Sequence, residues 1–239
     1  MKMTNSKSKK RLSAPKTRKI DKKSNTWTVK SAPGPHQSQE SVPIKTALRD
    51  HLKITENGKE AEKIVKEGKI QIDRKTIRDP KHPIGFMDVV TIKPMEKHYR
   101  ANYNEQGKID FTEIKDEEEA KHKLGRVNKK QKIKGGKTQI TLHDGKNIIN
   151  EELETGDAVK ISLPEKEVEK IIKLEEGNQA YITSGKHAGE IQEITGRTPG
   201  TSSRPPLIKL ENIETQKENI FPIGEKEPEI KTNTNKDKE

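Results

Sequence analysis

Apolar residues in this chain recur at two periods, and the change from one to the other sets its organisation. From Pro43 the spacing is helical. Ala47, Leu48 and Leu52, then Ala61, Ile64 and Val65, each give a helix one face to bury. The opposite faces are cationic. Lys45, Arg49 and Lys53 are four apart, and Lys59, Lys63 and Lys66 four and three apart, spacings that a 3.6-residue turn stacks into rows. Gly68 stops the second helix, as a residue tolerant of positive φ should. Ile70, Ile72 and Ile77 then predict a hairpin with Asp73-Arg74 at its tip, and Val89, Val90 and Ile92 predict another strand. Arg74 stands where a type I′ turn favours glycine, which predicts a loose tip.

Further on, 99–103 and 108–114 flank a hairpin turn ending in Gly107, and 117–124 reads as a short acidic-then-basic helix stopped by Gly125. Strands follow over 127–133, 138–142, 147–149 and 158–163, with Gly135-Gly136 and Asp144-Gly145 as turns. After Glu176 the glycines Gly177, Gly185 and Gly189 mark tight loops, and 208–210 and 219–223 supply closing strands. The expected fold class is α+β and multidomain. It has an extended N-terminal arm (1–41), a helix-bearing module (42–105), a central β-rich domain (106–172), a small β barrel (173–224) and a polar disordered tail (225–239).

Composition narrows this picture. Of 239 residues, 27% are hydrophobic and 3% aromatic, so several small cores fit better than one large one. No apolar run reaches bilayer length and no signal peptide is visible, which leads to the expectation of a soluble, intracellular chain. The absence of cysteine excludes disulfides and Cys-ligated zinc. The net charge of +11 is uneven: +9 over 1–40, +4 over 41–105, zero over 106–172 and −2 over 173–239. A basic field concentrated at one end is the footprint of a polyanion binder. An anionic membrane would call for an amphipathic helix with bulky anchors, which the arm lacks.

The arm is Lys-, Ser- and Pro-rich and is expected to order only on a partner. Trp27, the sole tryptophan, reads first as its anchor to the helical module and second as a platform for a base. His36, after a rigid Ala-Pro-Gly-Pro turn, has no nucleophile or carboxylate arranged with it as a catalytic base would. Gly185-Lys186-His187 lacks the spacing of a nucleotide-binding P-loop.

The order helix, Lys-rich helix, Gly, hairpin, strand resembles the "S-four" RNA-binding module. The 176–196 text, with SGKHAGEI at 184–191, resembles a KOW motif of a small SH3-like barrel. KRLSAPK (10–16), APGPH (32–36), VPIKTALRDHLK (42–53), EGKIQID (67–73), P-x-G-x-MDVV (83–90), GGKTQITLHDGKN (135–147) and GD-x-x-x-ISLP (156–164) complete an ordered series. Together these resemble the archaeal and eukaryotic "S four e" family of small-subunit ribosomal proteins, over about residues 10–230. The resemblance implies a non-catalytic, cytoplasmic, structural protein of the small ribosomal subunit. Its implied partners are small-subunit rRNA and neighbouring ribosomal proteins, with no cofactor, metal, membrane or small-molecule substrate. The RNA-facing residues expected are Lys10, Arg11, Lys16, Arg18, Lys19, Lys22, Lys23, Trp27 and His36 in the arm. The module adds Lys45, Arg49, Lys53, Lys59, Lys63, Lys66, Lys69, Arg74 and Arg78, and the KOW loop adds Gly185, Lys186 and His187. An RNA-modifying enzyme could carry the same helical module, but 106–172 is too short and too polar for a catalytic domain. A KOW-bearing transcription factor would leave the arm unexplained.

Overall fold

The computed structural model describes residues 8–165, 167–201 and 205–230. The first seven residues and the 231–239 part of the expected tail lie outside these. The chain divides into two compact units, one of residues 1–102 and 108–120, the other of 103–107 and 121–239.

The first unit holds β1 (Ser8–Lys10), β2 (Trp27–Val29), β3 (Val42–Pro43), α1 (Ile44–Thr46), α2 (Gly58–Lys66), β4 (Ile70–Ile72), β5 (Lys75–Ile77), β6 (Pro83–Ile84), β7 (Val89–Ile92), β8 (Lys97–Tyr103) and β9 (Ile109–Ile114). Its main sheet runs β5-β4-β7-β8-β9, with β1-β2 and β3-β6 as separate pairs. Helix α2 turns Ala61 and Val65 inward, both fully buried, and Asn57 caps it by accepting from the N–H groups of Lys59 and Glu60. Strand β9 completes the sheet of this unit, although its sequence pattern continues into the central segment.

Four expectations are corrected here. The first helix is one α-turn that widens into a π-turn over Ala47–His51, where the Leu52 N–H donates to the Ala47 carbonyl. Lys53 follows it with φ +53°, so it leaves the row begun by Lys45 and Arg49. The hairpin tip is a tight two-residue turn: Ile72 pairs with Lys75, and Asp73 and Arg74 both have the positive φ of a type I′ turn. Asp73 makes this possible, because its N–H donates to the Val89 carbonyl and its Oδ1 accepts the Val89 N–H at 3.1 Å.

The expected helix over 117–124 is only a 3₁₀ turn, Glu119–Lys121, followed by strand. The buried Arg100 guanidinium explains this, since it binds both the Glu119 carboxylate and the Glu119 carbonyl at 2.9 Å, the acceptor a continuing helix would need. The last correction concerns the arm, which is folded over residues 8–41. Arg18, 2% exposed, donates to the Ser41, Val29 and Ser38 carbonyls and to Ser31 Oγ, and burial pulls its pKa down to about 10, still cationic at neutral pH. His36 is also inside. Its Nε2 lies 2.9 Å from Asp88 Oδ2, and its ring fills the space a Cβ at Gly85 would occupy, 2.2 Å away.

The second unit is built from β10 (His122–Lys132), β11 (Thr138–Leu142), β12 (Asn147–Ile149), β13 (Ala158–Ser162), β14 (Val168–Ile172), β15 (Gln179–Ile182), β16 (Ile191–Thr198), β17 (Leu207–Leu210), β18 (Glu214–Gln216) and β19 (Ile220–Gly224). They form two five-stranded antiparallel sheets, β12-β11-β10-β13-β14 and β18-β17-β16-β15-β19. Each has a small core, the first around Val127, Ile140, Leu142 and Ile161, the second around Ala180, Ile182, Ile194 and Ile208.

His51, edge-on to the Phe111 ring at 5.4 Å, is held down to about 4 by burial, against the pull of Asp110 and Asp50 and with the push of Lys19 and Arg18. The unfolded chain therefore takes up a proton near pH 6.5 that the folded chain refuses until about pH 4. Stability is expected to fall by about 2 kcal/mol as pH drops through that window, His82 adding in the same direction. Urea midpoints at pH 7 and pH 4.5 check this, and the loss should shrink in His51→Leu.

Candidate nucleic-acid interface

Four segments of the first unit converge on a groove of about 440 Å³ whose walls include Trp27, Lys45, Arg49, Lys59, Glu62 and Lys81. Strand alternation sets the first of these: Thr28 points inward at 4% exposure, so Trp27 points out at 57%. The anchoring role expected for Trp27 is therefore replaced by an outward one, and Arg18 does the anchoring. Lys81 is held between two backbone ties, from the Lys45 N–H to the Pro80 carbonyl (3.0 Å) and from the Ala32 N–H to the Lys81 carbonyl (2.9 Å). Lys59 starts where the Asn57 cap fixes α2. A Cβ at Gly58 would come within 2.7 Å of Lys45 Cε and 3.5 Å of Arg49 Nη1, so these two side chains cross directly over the first turn of α2.

The cations are not equivalent. Lys45 and Lys66 share Glu62, at 2.9 and 2.7 Å, and their hydrogen bonds, that of Lys66 first, hold the Glu62 carboxyl down to about 2. Arg49 forks onto its neighbour Asp50 at 2.9 and 2.8 Å, which raises its pKa. Lys69 pairs with Glu67, Arg74 with Glu117 and Lys19 with Asp110. Among the described residues Lys10, Lys16, Lys22, Lys23, Lys53, Lys59, Lys63, Arg78 and Lys81 form no ion pair, and with Lys9, Lys30, Lys75, Lys93 and Lys115, also outside the ion pairs, they carry the unspent positive field of the unit. Arg11 and Arg18, at 4% and 2% exposure, and the buried His36 are turned inward and leave the set of surface contacts.

In the second unit, Gly185 has φ +98° and open space around it, and Lys186 is exposed. His187 is engaged by Glu190 at 3.0 Å. Gly189 is a packing residue, since a Cβ there would lie 2.8 Å from the Asn104 carbonyl carbon.

Two cationic features escape the sequence pattern. Lys81 sits in a loop between prolines with no period to mark it. The β10–β11 ribbon carries Lys129, Lys130, Lys132, Lys134 and Lys137, with no acidic residue between 128 and 137 and all five exposed. Averaging charge over 106–172 conceals this run behind the acids at either end of the segment.

Comparison with known proteins adds to this geometry. Residues 95–168 match the model of "Ribosomal family S4e", and residues 3–39 match that of the "RS4NT (NUC023) domain". The chain is 40% identical to the small ribosomal subunit protein eS4 of Archaeoglobus fulgidus over 223 residues, 91% of this chain and 93% of that protein. It is 36% identical to the protein of that name from Methanocaldococcus jannaschii over 237 residues, 93% of this chain and 96% of that one. The crystal structure of the 30S ribosomal protein S4e from Thermoplasma acidophilum is similar at TM-score 0.70 and 32% identity, covering 77% of this chain and 95% of that one.

Proposed function

The chain belongs to the ribosomal family S4e, and from that premise we propose that it is a non-catalytic structural constituent of the small ribosomal subunit that binds its rRNA, with neighbouring ribosomal proteins as its other partners and the cytoplasm as its place. The observation that carries the RNA contact is the groove of the first unit, where unpaired Lys59 and Lys81 stand beside Lys45 and Arg49. The proposed division of labour keeps 42–105 as the principal RNA-binding module, with the arm, now folded, supplying one wall of its groove. The β18-β17-β16-β15-β19 sheet is proposed as a KOW-type barrel presenting Gly185 and Lys186, and the β10–β11 ribbon as a further phosphate-facing finger.

Lysines on phosphates fix position without reading sequence, and they act by releasing condensed counterions. With about six contacts the log–log dependence of affinity on salt should have a slope of about −4 to −5. Lys59, Lys63 and Lys81 are better probes than Arg49 or Lys66, whose charges are already engaged by Asp50 and Glu62. The Lys59→Ala, Lys63→Ala, Lys81→Ala triple variant is expected to flatten that slope by about 2 to 3 and to weaken rRNA binding about tenfold or more. Filter binding of the full chain to small-subunit rRNA across a salt series is the measurement. An unchanged slope and affinity would remove this assignment.

A further inference from the structure

An exposed tryptophan needs no explanation when it stands alone on a surface. Trp27 does not stand alone. It is the only tryptophan of the chain, it contributes little to the core at 57% exposure, and it forms one wall of a groove whose other walls bring cations from three separate segments. The groove volume of about 440 Å³ lies within the range that holds a small ligand. An aromatic face flanked by ammonium groups is the arrangement that takes a flat π-system with anionic groups on either side.

We propose that this groove seats a single unpaired nucleotide of RNA, its base stacked on the Trp27 indole and its flanking phosphates against Lys59 and Lys81. The site rests on the RNA-binding role proposed above and deepens it. That role requires cations facing phosphates, whereas this one requires a base out of its helix. A base inside a duplex offers no free face, so the site selects a bulge, loop or strand end. Stacking tolerates any base, because every base has a π-face. Glu62, also in the wall, remains ionised and tied to Lys45 and Lys66, so it is a fixed acceptor rather than a repulsive free charge.

The sole tryptophan makes the test direct. Indole fluorescence of the full chain is titrated with a short single-stranded oligoribonucleotide, with the same strand annealed to its complement, with inorganic phosphate and with polyglutamate. Quenching by the single strand alone is expected. Filter binding of the single strand, which does not depend on the indole, compares the variants: Trp27→Leu should weaken single-strand binding about tenfold and leave the salt slope unchanged, while Trp27→Phe should retain most of the affinity. Equal quenching by duplex, quenching by polyglutamate, or unaltered single-strand affinity in Trp27→Leu would overturn the nucleotide site. Those results would leave the rRNA reading standing if the triple lysine variant still loses rRNA binding. A triple variant that binds rRNA normally would instead sink the rRNA reading.

Discussion

Arg18→Met is expected to detach the arm from the first unit, with a loss of about 4 kcal/mol in the stability of that unit. The guanidinium donates at 2.8 to 3.3 Å to four acceptors, the carbonyls of Val29, Ser38 and Ser41 and the hydroxyl of Ser31. Removing it leaves those acceptors buried and unmatched, at roughly 1–3 kcal/mol for each group that water cannot reach. Arg18→Lys should rescue little, since a point charge cannot fork to acceptors on three sides. Urea denaturation gives the stability change, and limited proteolysis should show cleavage within 8–41 in the variant alone. The same variant should lose single-strand binding, because the strand that carries Trp27 ends at Val29, one of the residues Arg18 holds. A protease-resistant arm and unchanged stability would show that Arg18 does not hold it.

Arg18 also marks the limit of what the sequence makes legible. Elements whose faces repeat locally are readable: α2 follows from Ala61 and Val65 at helical spacing, its end from Gly68, and β11 from Thr138, Ile140 and Leu142 alternating towards a core. What stays hidden depends on partners far along the chain. Nothing in KRLSAPKTRK tells a phosphate-binding arginine from one whose acceptors lie 11 to 23 residues later. The failed helix over 117–124 is of the same kind, because Arg100, some twenty residues upstream, takes the Glu119 carbonyl. The hairpin tip is decided at Val89, not at Arg74. In the candidate site the cationic row on α2 is legible from spacing, but the outward turn of Trp27 and the placing of Lys81 follow from strand pairing and two backbone ties.

The acid side of the stability profile should be governed in the second unit by a lysine that the sequence places in the short acidic-then-basic helix expected over 117–124. Lys123 is 0% exposed, and its Nζ lies 3.0 Å from Oδ2 of Asp144 at the β11–β12 turn; Lys146 stands at the same distance from that oxygen. Burial alone would push the Asp144 carboxyl up, but Lys123, His143, Lys146 and the Lys146 N–H together hold it well below the usual carboxylate range. A depressed folded pKa contributes stability that is complete above the unfolded value near 3.8 and disappears as pH falls through the folded value. The wild-type chain should therefore keep this contribution down to about pH 4. Lys123→Met is expected to cost about 3–5 kcal/mol at neutral pH, because it takes from a buried carboxylate its fully buried cation and leaves it the half-buried Lys146, by its ammonium and its N–H, and His143. Its pH profile should shift as well: with its buried cation gone, the Asp144 carboxyl is held down less strongly against burial, so part of the deficit should close on the acid side as the group protonates. Lys123→Met with Asp144→Leu should recover most of the loss, since a buried pair exchanged for apolar groups of similar volume is often neutral. Chemical denaturation of the single, the other single and the double variant gives the coupling directly. Additive losses would mean that the two side chains are buried side by side without holding each other.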